Sequence, residues 1–324
     1  MKSNLPSSQS PWLTVETQQF IDALNANPGP PLYTLTPEGA RQVLSEAQAI
    51  PVASPAAEVA DLVLPVGPTG KVEVRLVRPE GAAANLPALF YFHGGGWVMG
   101  NKDTHDRLVR ELAVGAGVAV IFVNYTPSPE AQYPVPVEQA YAAVEYVCAH
   151  PEKFHIDPKR LAVAGDSVGG NMTAVMTLLA KQHGRPEFAA QLLFYPVTDA
   201  AFDTASYREF ADGPWLTLKA MEWFWDAYLP DKTRRCEVTV SPLQATVEQL
   251  EGLPEALVIT DQNDVLRDEG EAYARKLQQA GVKVTAVRYN GTIHDFMMLN
   301  ALAGSTPTRA AVRQAVDFLK NIFS

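Results

Sequence analysis

The segment Gly165-Asp166-Ser167-Val168-Gly169-Gly170 constrains this chain more than any other. It follows the apolar run Leu161-Ala162-Val163-Ala164 and precedes an Ala/Met/Leu-rich stretch from Asn171 to Ala180. The spacing predicts a strand, a sharp turn and a helix, with a serine at the apex. Such a turn holds its serine in a strained backbone conformation with the hydroxyl raised above a sheet. Gly165 and Gly169 belong there because a β-carbon at either position would collide where strand and helix pass closely. A loop that merely connects two elements is the plain alternative, and the flanking strand and helix patterns argue against it.

The rest of the chain reads as a sheet to carry that turn. Val59 to Val66 and Val72 to Val77 read as strands joined by Gly67-Pro68-Thr69-Gly70, a hairpin signal. Six short apolar runs follow, separated by helical patterns: Ala88 to Phe92, Ala119 to Val123, Leu161 to Ala164, Leu192 to Tyr195, Ala256 to Thr260 and Val284 to Tyr289. Continuous apolar strands alternating with helices mean a parallel sheet covered on both faces. Eight strands are expected, the first pair antiparallel. Residues 1–50 are Pro-punctuated with two short helices, Thr14 to Leu24 and Pro37 to Ala49. Residues 202–230 are dense in aromatics without a strand pattern, which predicts a helical insertion over the sheet's carboxyl edge.

Composition bounds the partners. The net charge is −10 and no basic stripe interrupts it, which argues against nucleic acid or an anionic membrane surface. No run approaches the roughly 20 apolar residues of a membrane span. Met1 to Thr14 has one lysine and no apolar stretch of signal-peptide length, so a cytoplasmic location is expected. The two cysteines, Cys148 and Cys236, read as incidental buried thiols.

A serine hydroxyl needs a base to become a nucleophile, and histidine suits that task near neutral pH. Of six histidines, His150, His155 and His183 fall in polar helix ends or loops, and His105 in a polar segment. His294 follows the last strand and the turn Asn290-Gly291-Thr292, which puts it at the carboxyl edge of the sheet with Ser167. The acid that orients the imidazole should follow strand Ala256 to Thr260. Asp268 and Glu269 suit the first turn of a helix, where the dipole favours acids. Asp261 and Asp264 both lie in the right loop, and spacing alone leaves them even. The order Ser, Asp, His differs from the chymotrypsin and subtilisin orders. His93-Gly94-Gly95-Gly96-Trp97 follows strand Ala88 to Phe92, and its bare N–H groups, with that of Val168, would form an oxyanion hole. His93 itself reads as a loop-shaping side chain. No Gly-Lys-Ser/Thr phosphate loop, dinucleotide fingerprint or metal-ligand spacing is present, so no metal or organic cofactor is expected.

With these residues in order, the sequence resembles the bacterial hormone-sensitive-lipase-like carboxylesterases (family IV) of the α/β-hydrolase fold. The matching pieces are His93 to Trp97, Tyr133-Pro134, Gly165 to Gly170, Ser241-Pro242-Leu243, Leu266 to Gly270, and His294 with Phe296. The resemblance implies an α/β-hydrolase fold: an eight-stranded, mostly parallel sheet with helices on both faces, and a helical cap. It implies a core of residues 51–201 and 236–324 and a cap of 1–50 and 202–235. Ser167 is then the nucleophile, His294 the base, and Gly95, Gly96 and Val168 the oxyanion donors. The acid of the family precedes the Leu-Arg-Asp-Glu run by one residue, which selects Asp264 over Asp261.

The expected reaction is hydrolysis of small short- to medium-chain acyl esters through an acyl-enzyme, with Trp97 and Trp215 candidates for lining apolar pockets. An amidase, formamidase or lactonase with the same triad is the alternative. A non-catalytic ligand-binding protein on this fold, like the plant gibberellin receptors, is a further one, though those lack a complete triad. The resemblance also suggests a homodimer through the edge strand near Val284 to Tyr289. Four departures stand out. Val168 replaces the usual alanine and Val265 the usual proline. Asp295 replaces a glycine and puts a carboxylate beside the base, where it should raise the pKa of His294. Asn124 to Glu130 departs from Asp-Tyr-Arg-Leu-Ala-Pro-Glu.

Overall fold

A computed structural model describes residues 12–82 and 85–324, so most of the leader reading of Met1 to Thr14 lies outside the described residues. The eight strands are β1 (Ala57–Leu64), β2 (Val72–Pro79), β3 (Leu86–Phe92), β4 (Ala119–Asn124), β5 (Ile156–Asp166), β6 (Ala190–Phe194), β7 (Glu255–Asn263) and β8 (Val284–Ile293). They form one sheet in the order β1-β2-β4-β3-β5-β6-β7-β8. β2 runs antiparallel to both neighbours, β1 and β4, and every pairing from β4 to β8 is parallel.

Burial explains why the central strands lack alternation. Every residue of β6, and Ala88 to Phe92 in β3, is buried, because helices cover both faces. Helices Asp106–Ala116 and Thr306–Phe323 pack together on one face. Helices Val135–Ala149, Val168–His183 and Arg267–Gln279 cover the other. The helix Val168–His183 buries twelve residues and stops at Gly184, a left-handed C-cap with φ 70° that a β-carbon would disfavour.

The N-terminal segment forms helices Val15–Ala26 and Pro37–Ala47, capped by the hydroxyls of Thr14 and Thr36. The 202–230 stretch forms helices Ala205–Glu209 and Leu218–Tyr228. The two regions touch. Phe20 and Trp215 have ring centroids 5.4 Å apart, and the Lys219 ammonium lies 5.8 Å over Tyr33. Arg41 ties the N-terminal segment to the loops after β3 and β4, donating to the carbonyls of Val98 and Ser128 while forking onto Glu130. Both cysteines are free thiols; Cys148 is half-buried and Cys236 is exposed, against the expectation of two buried thiols.

Candidate active site

Ser167 sits between β5 and its helix with φ 55° and ψ −121°, a left-handed conformation costly for any residue with a β-carbon. The strain is held by packing on both sides. A β-carbon on Gly165 or on Gly169 would overlap the Phe92 carbonyl, and one on Gly170 would come within 2.8 Å of Pro196. The Ser167 N–H donates to the Phe194 carbonyl at 2.8 Å, locking the turn to β6.

Three side chains converge from three loops at the carboxyl edge of the sheet. His294 Nε2 lies 2.9 Å from Ser167 Oγ, and His294 Nδ1 lies 2.7 Å from Asp264 Oδ2. A carboxylate only accepts, so Nδ1 carries the hydrogen given to Asp264, and Nε2 of the neutral ring is left to accept from the serine. Asp264 is fixed in turn, its Oδ1 accepting from the Leu266 N–H at 3.0 Å. Val265, where proline was expected, is held by another route, because its carbonyl accepts from Ser206 Oγ at 2.7 Å. All three side chains are nearly inaccessible to solvent.

Three carboxyl groups surround the imidazole. Burial opposes charge on His294, but Asp264 and Asp295 outweigh it and hold its pKa up at about 9. Asp295 Oδ1 is 3.4 Å from Nε2, and its Oδ2 accepts from Trp215 Nε1 at 3.0 Å. Burial pushes the Asp295 carboxyl up, against the pull of His294. Asp261 is also buried here, and burial together with the charges of Asp264 and Asp295 pushes it well above the usual carboxylate range.

The loop after β3 supplies backbone donors. Gly95 and Gly96 have φ of 106° and 65°, and Phe224 packs so closely on Gly96 that a β-carbon would overlap its ring. None of the hydrogen bonds among the described residues uses the N–H of Gly95, Gly96 or Val168. Val168 opens its helix, where N–H groups lack an intrahelical acceptor. The loop is braced from below. The Ser128 N–H donates to the Trp97 carbonyl at 2.7 Å, and the Met99 N–H to the Gly95 carbonyl at 2.7 Å. Trp97 is fully buried, stacked on Tyr228 at 4.0 Å and edge-on to Trp225 at 4.8 Å. Trp215 is only partly buried and reaches Asp295.

His93 shapes the loop as its position suggests. Its Nδ1 donates to the Gly94 carbonyl at 2.8 Å, and its ring stacks 4.2 Å from Tyr125. Burial, with repulsion from His105, lowers its pKa to about 3, so the ring is neutral. His105 departs from the polar-segment reading. It is buried beneath the elbow, its Nε2 3.2 Å from Asp166 Oδ2, while Tyr91 donates to Asp166 Oδ1 at 2.7 Å. Glu269 lies in the first turn of the helix Arg267–Gln279, as expected, but does more than face the dipole. It is fully buried and accepts from the N–H groups of Thr198 and Asp199 at 2.7 and 3.2 Å, pinning the loop after β6. The sequence signal for both was Asp166 beside the serine and Glu269 within a matched motif.

An alpha/beta hydrolase fold family model matches residues 89–298. A thermostable esterase from Pseudomonas putida has a solved structure that superposes with a TM-score of 0.95 at 50% identity, covering 97% of this chain and 99% of its own. An alpha/beta hydrolase of Acanthamoeba polyphaga mimivirus is 40% identical over 94% of this chain and 87% of its own. An ethyl acetate hydrolase of Pseudomonas putida is 36% identical over 84% of this chain and 86% of its own. With its mixed eight-stranded sheet, its serine elbow and relatives of this kind over nearly its whole length, the chain belongs to the α/β-hydrolase family, in the hormone-sensitive-lipase-like group.

Proposed function

We propose that this protein is a serine carboxylesterase acting on small short- to medium-chain acyl esters. The observation that carries this reading is the unbroken chain from Ser167 Oγ through His294 to Asp264, at 2.9 and 2.7 Å. His294 takes the serine proton as Oγ attacks the ester carbonyl, and Asp264 steadies the imidazolium that forms. The developing oxyanion rests on the N–H groups of Gly95, Gly96 and Val168, each typically worth roughly 10²–10³ in turnover. His294 then protonates the leaving alcohol, and a water deprotonated by the same ring releases the acid. Each of these steps is proton transfer and charge stabilisation by the chain's own groups.

The helices of residues 1–50 and 202–235 are assigned as a cap, supported by the Phe20–Trp215 contact and by Arg41. Trp215 lines the acyl or alcohol pocket on this reading, and Trp97 backs the oxyanion loop from its buried position. An esterase and an ethyl acetate hydrolase among its relatives favour esters over the amidase, formamidase and lactonase alternatives. Among the described residues no helix is long and apolar enough to cross a membrane. Two free thiols are in keeping with a cytoplasmic location. β8 ends the sheet, and its open edge is the surface we assign to a homodimer.

The test is p-nitrophenyl ester hydrolysis over a range of acyl lengths, beside an anilide of the same acyl group. Wild type should prefer the ester, and Ser167→Ala should lose on the order of 10⁶ in turnover. A near-normal Ser167→Ala enzyme would overturn the mechanism, and faster amide turnover would overturn the ester assignment.

A further inference from the structure

Asp261 lies near the end of β7 and is fully buried, three residues before the acid. Its Oδ1 accepts one long bond, 3.5 Å from Thr292 Oγ1, and that hydroxyl has a closer acceptor in the Tyr289 carbonyl at 2.7 Å. Its Oδ2 has no hydrogen-bond donor. An ionised carboxylate can only accept, and burial without donors is among the costliest arrangements an interior can hold. An oxygen of Asp261, an oxygen of Asp264 and a ring nitrogen of His294 all lie within 4.8 Å of one another.

Two like charges this close in a buried site repel, so a proton on one carboxyl relieves the pair. The surroundings decide where it sits. Asp264 has the imidazole on one oxygen and the Leu266 N–H on the other. Asp261 has only the weak contact from Thr292, and the groups facing it are Asp264, Asp295, His294 and the Tyr195 phenol. We propose that Asp261 is a positioning residue, a neutral carboxyl whose O–H is given to Asp264 and steers that carboxylate onto His294. The proposal rests on Asp264 and His294 being acid and base. Burial and the neighbouring carboxylates, which push Asp261 well above the ordinary range, agree with it. It also explains why the spacing could not choose between two aspartates, since both serve the same histidine.

The experiment is a pH profile of kcat/KM for p-nitrophenyl acetate with Asp261→Ala and Asp261→Asn, beside infrared difference spectra at neutral pH. Alanine removes a donor to Asp264, which then holds the imidazolium more tightly. The acid limb should move up by about half to one pH unit, and kcat/KM at neutral pH should fall by about three- to tenfold. Asparagine keeps an N–H for Asp264 and should recover most of that loss. The wild-type infrared spectrum should contain a protonated-carboxyl band that Asp261→Asn removes. If Asp261 is ionised instead, both substitutions delete a negative charge, the limb moves down in both, and no such band is lost; that result overturns the proposal. The band does not depend on turnover. Its presence in a protein that hydrolyses no ester would uphold the shared proton and sink the esterase reading, and its absence in an active esterase would do the reverse.

Discussion

Replacing Asp295 by asparagine removes a carboxylate whose Oδ1 lies 3.4 Å from His294 Nε2, the nitrogen proposed to take the serine proton. At that distance two unit charges attract by about 5 kcal/mol at an effective dielectric near 20, and by about 1.2 kcal/mol at that of water. The side chain is 15% exposed, so the interaction falls between these values. Divided by about 1.4 kcal/mol per pH unit, the pKa of His294 should fall by one to three units from about 9. His294 must be neutral to act as a base, so kcat/KM in wild type should climb with pH toward about 9. In Asp295→Asn that limb moves to lower pH, and a one-unit shift alone raises activity at pH 7 by about tenfold. Stability carries the same signature. A histidine whose folded pKa exceeds its unfolded value near 6.5 contributes fully below pH 6.5 and loses that contribution as pH rises toward 9. The assay is the pH profile of kcat/KM, with urea unfolding at several pH values. A limb that stays put or moves up refutes the electrostatic argument.

Two further substitutions probe the support of the site. His105→Ala strips a partner from Asp166 beneath the elbow, both side chains being fully buried, and should cost about 3–5 kcal/mol in urea unfolding; a loss under about 1 kcal/mol would show that the pair is dispensable. Gly96→Ala forces a side chain onto φ 65° and into the Phe224 ring, and should cost about 1–3 kcal/mol with a fall in kcat of roughly 10². An unchanged kcat at saturating ester would remove the Gly96 N–H from the oxyanion site.

The sheet was legible because each buried strand is a short apolar run bounded by turns, and the elbow because its glycines answer a steric demand that recurs at the Phe92 carbonyl. Ser167 and His294 could be paired because both sit at carboxyl ends of strands. The acid could not be read from spacing, since Asp261 and Asp264 leave the same strand end and both are buried beside His294. His105 was lost for a different reason. Its neighbours Asn101 to Asp106 are polar, and its partner Asp166 is 61 residues away, so only tertiary structure brings them together. Glu269 had a sufficient local explanation in the helix dipole, which hid its contacts with Thr198 and Asp199 across the core. Trp215 is of the same kind, because nothing local joins it to Asp295, 80 residues on.

The central claim is that Ser167 becomes acylated during turnover, and intact and peptide mass spectrometry after acid quench reads this directly. With p-nitrophenyl acetate the account predicts an added acetyl mass on the peptide carrying Ser167, formed within one turnover and absent in Ser167→Ala. Acetyl on another residue, or full ester turnover by an enzyme never acylated at Ser167, would contradict it.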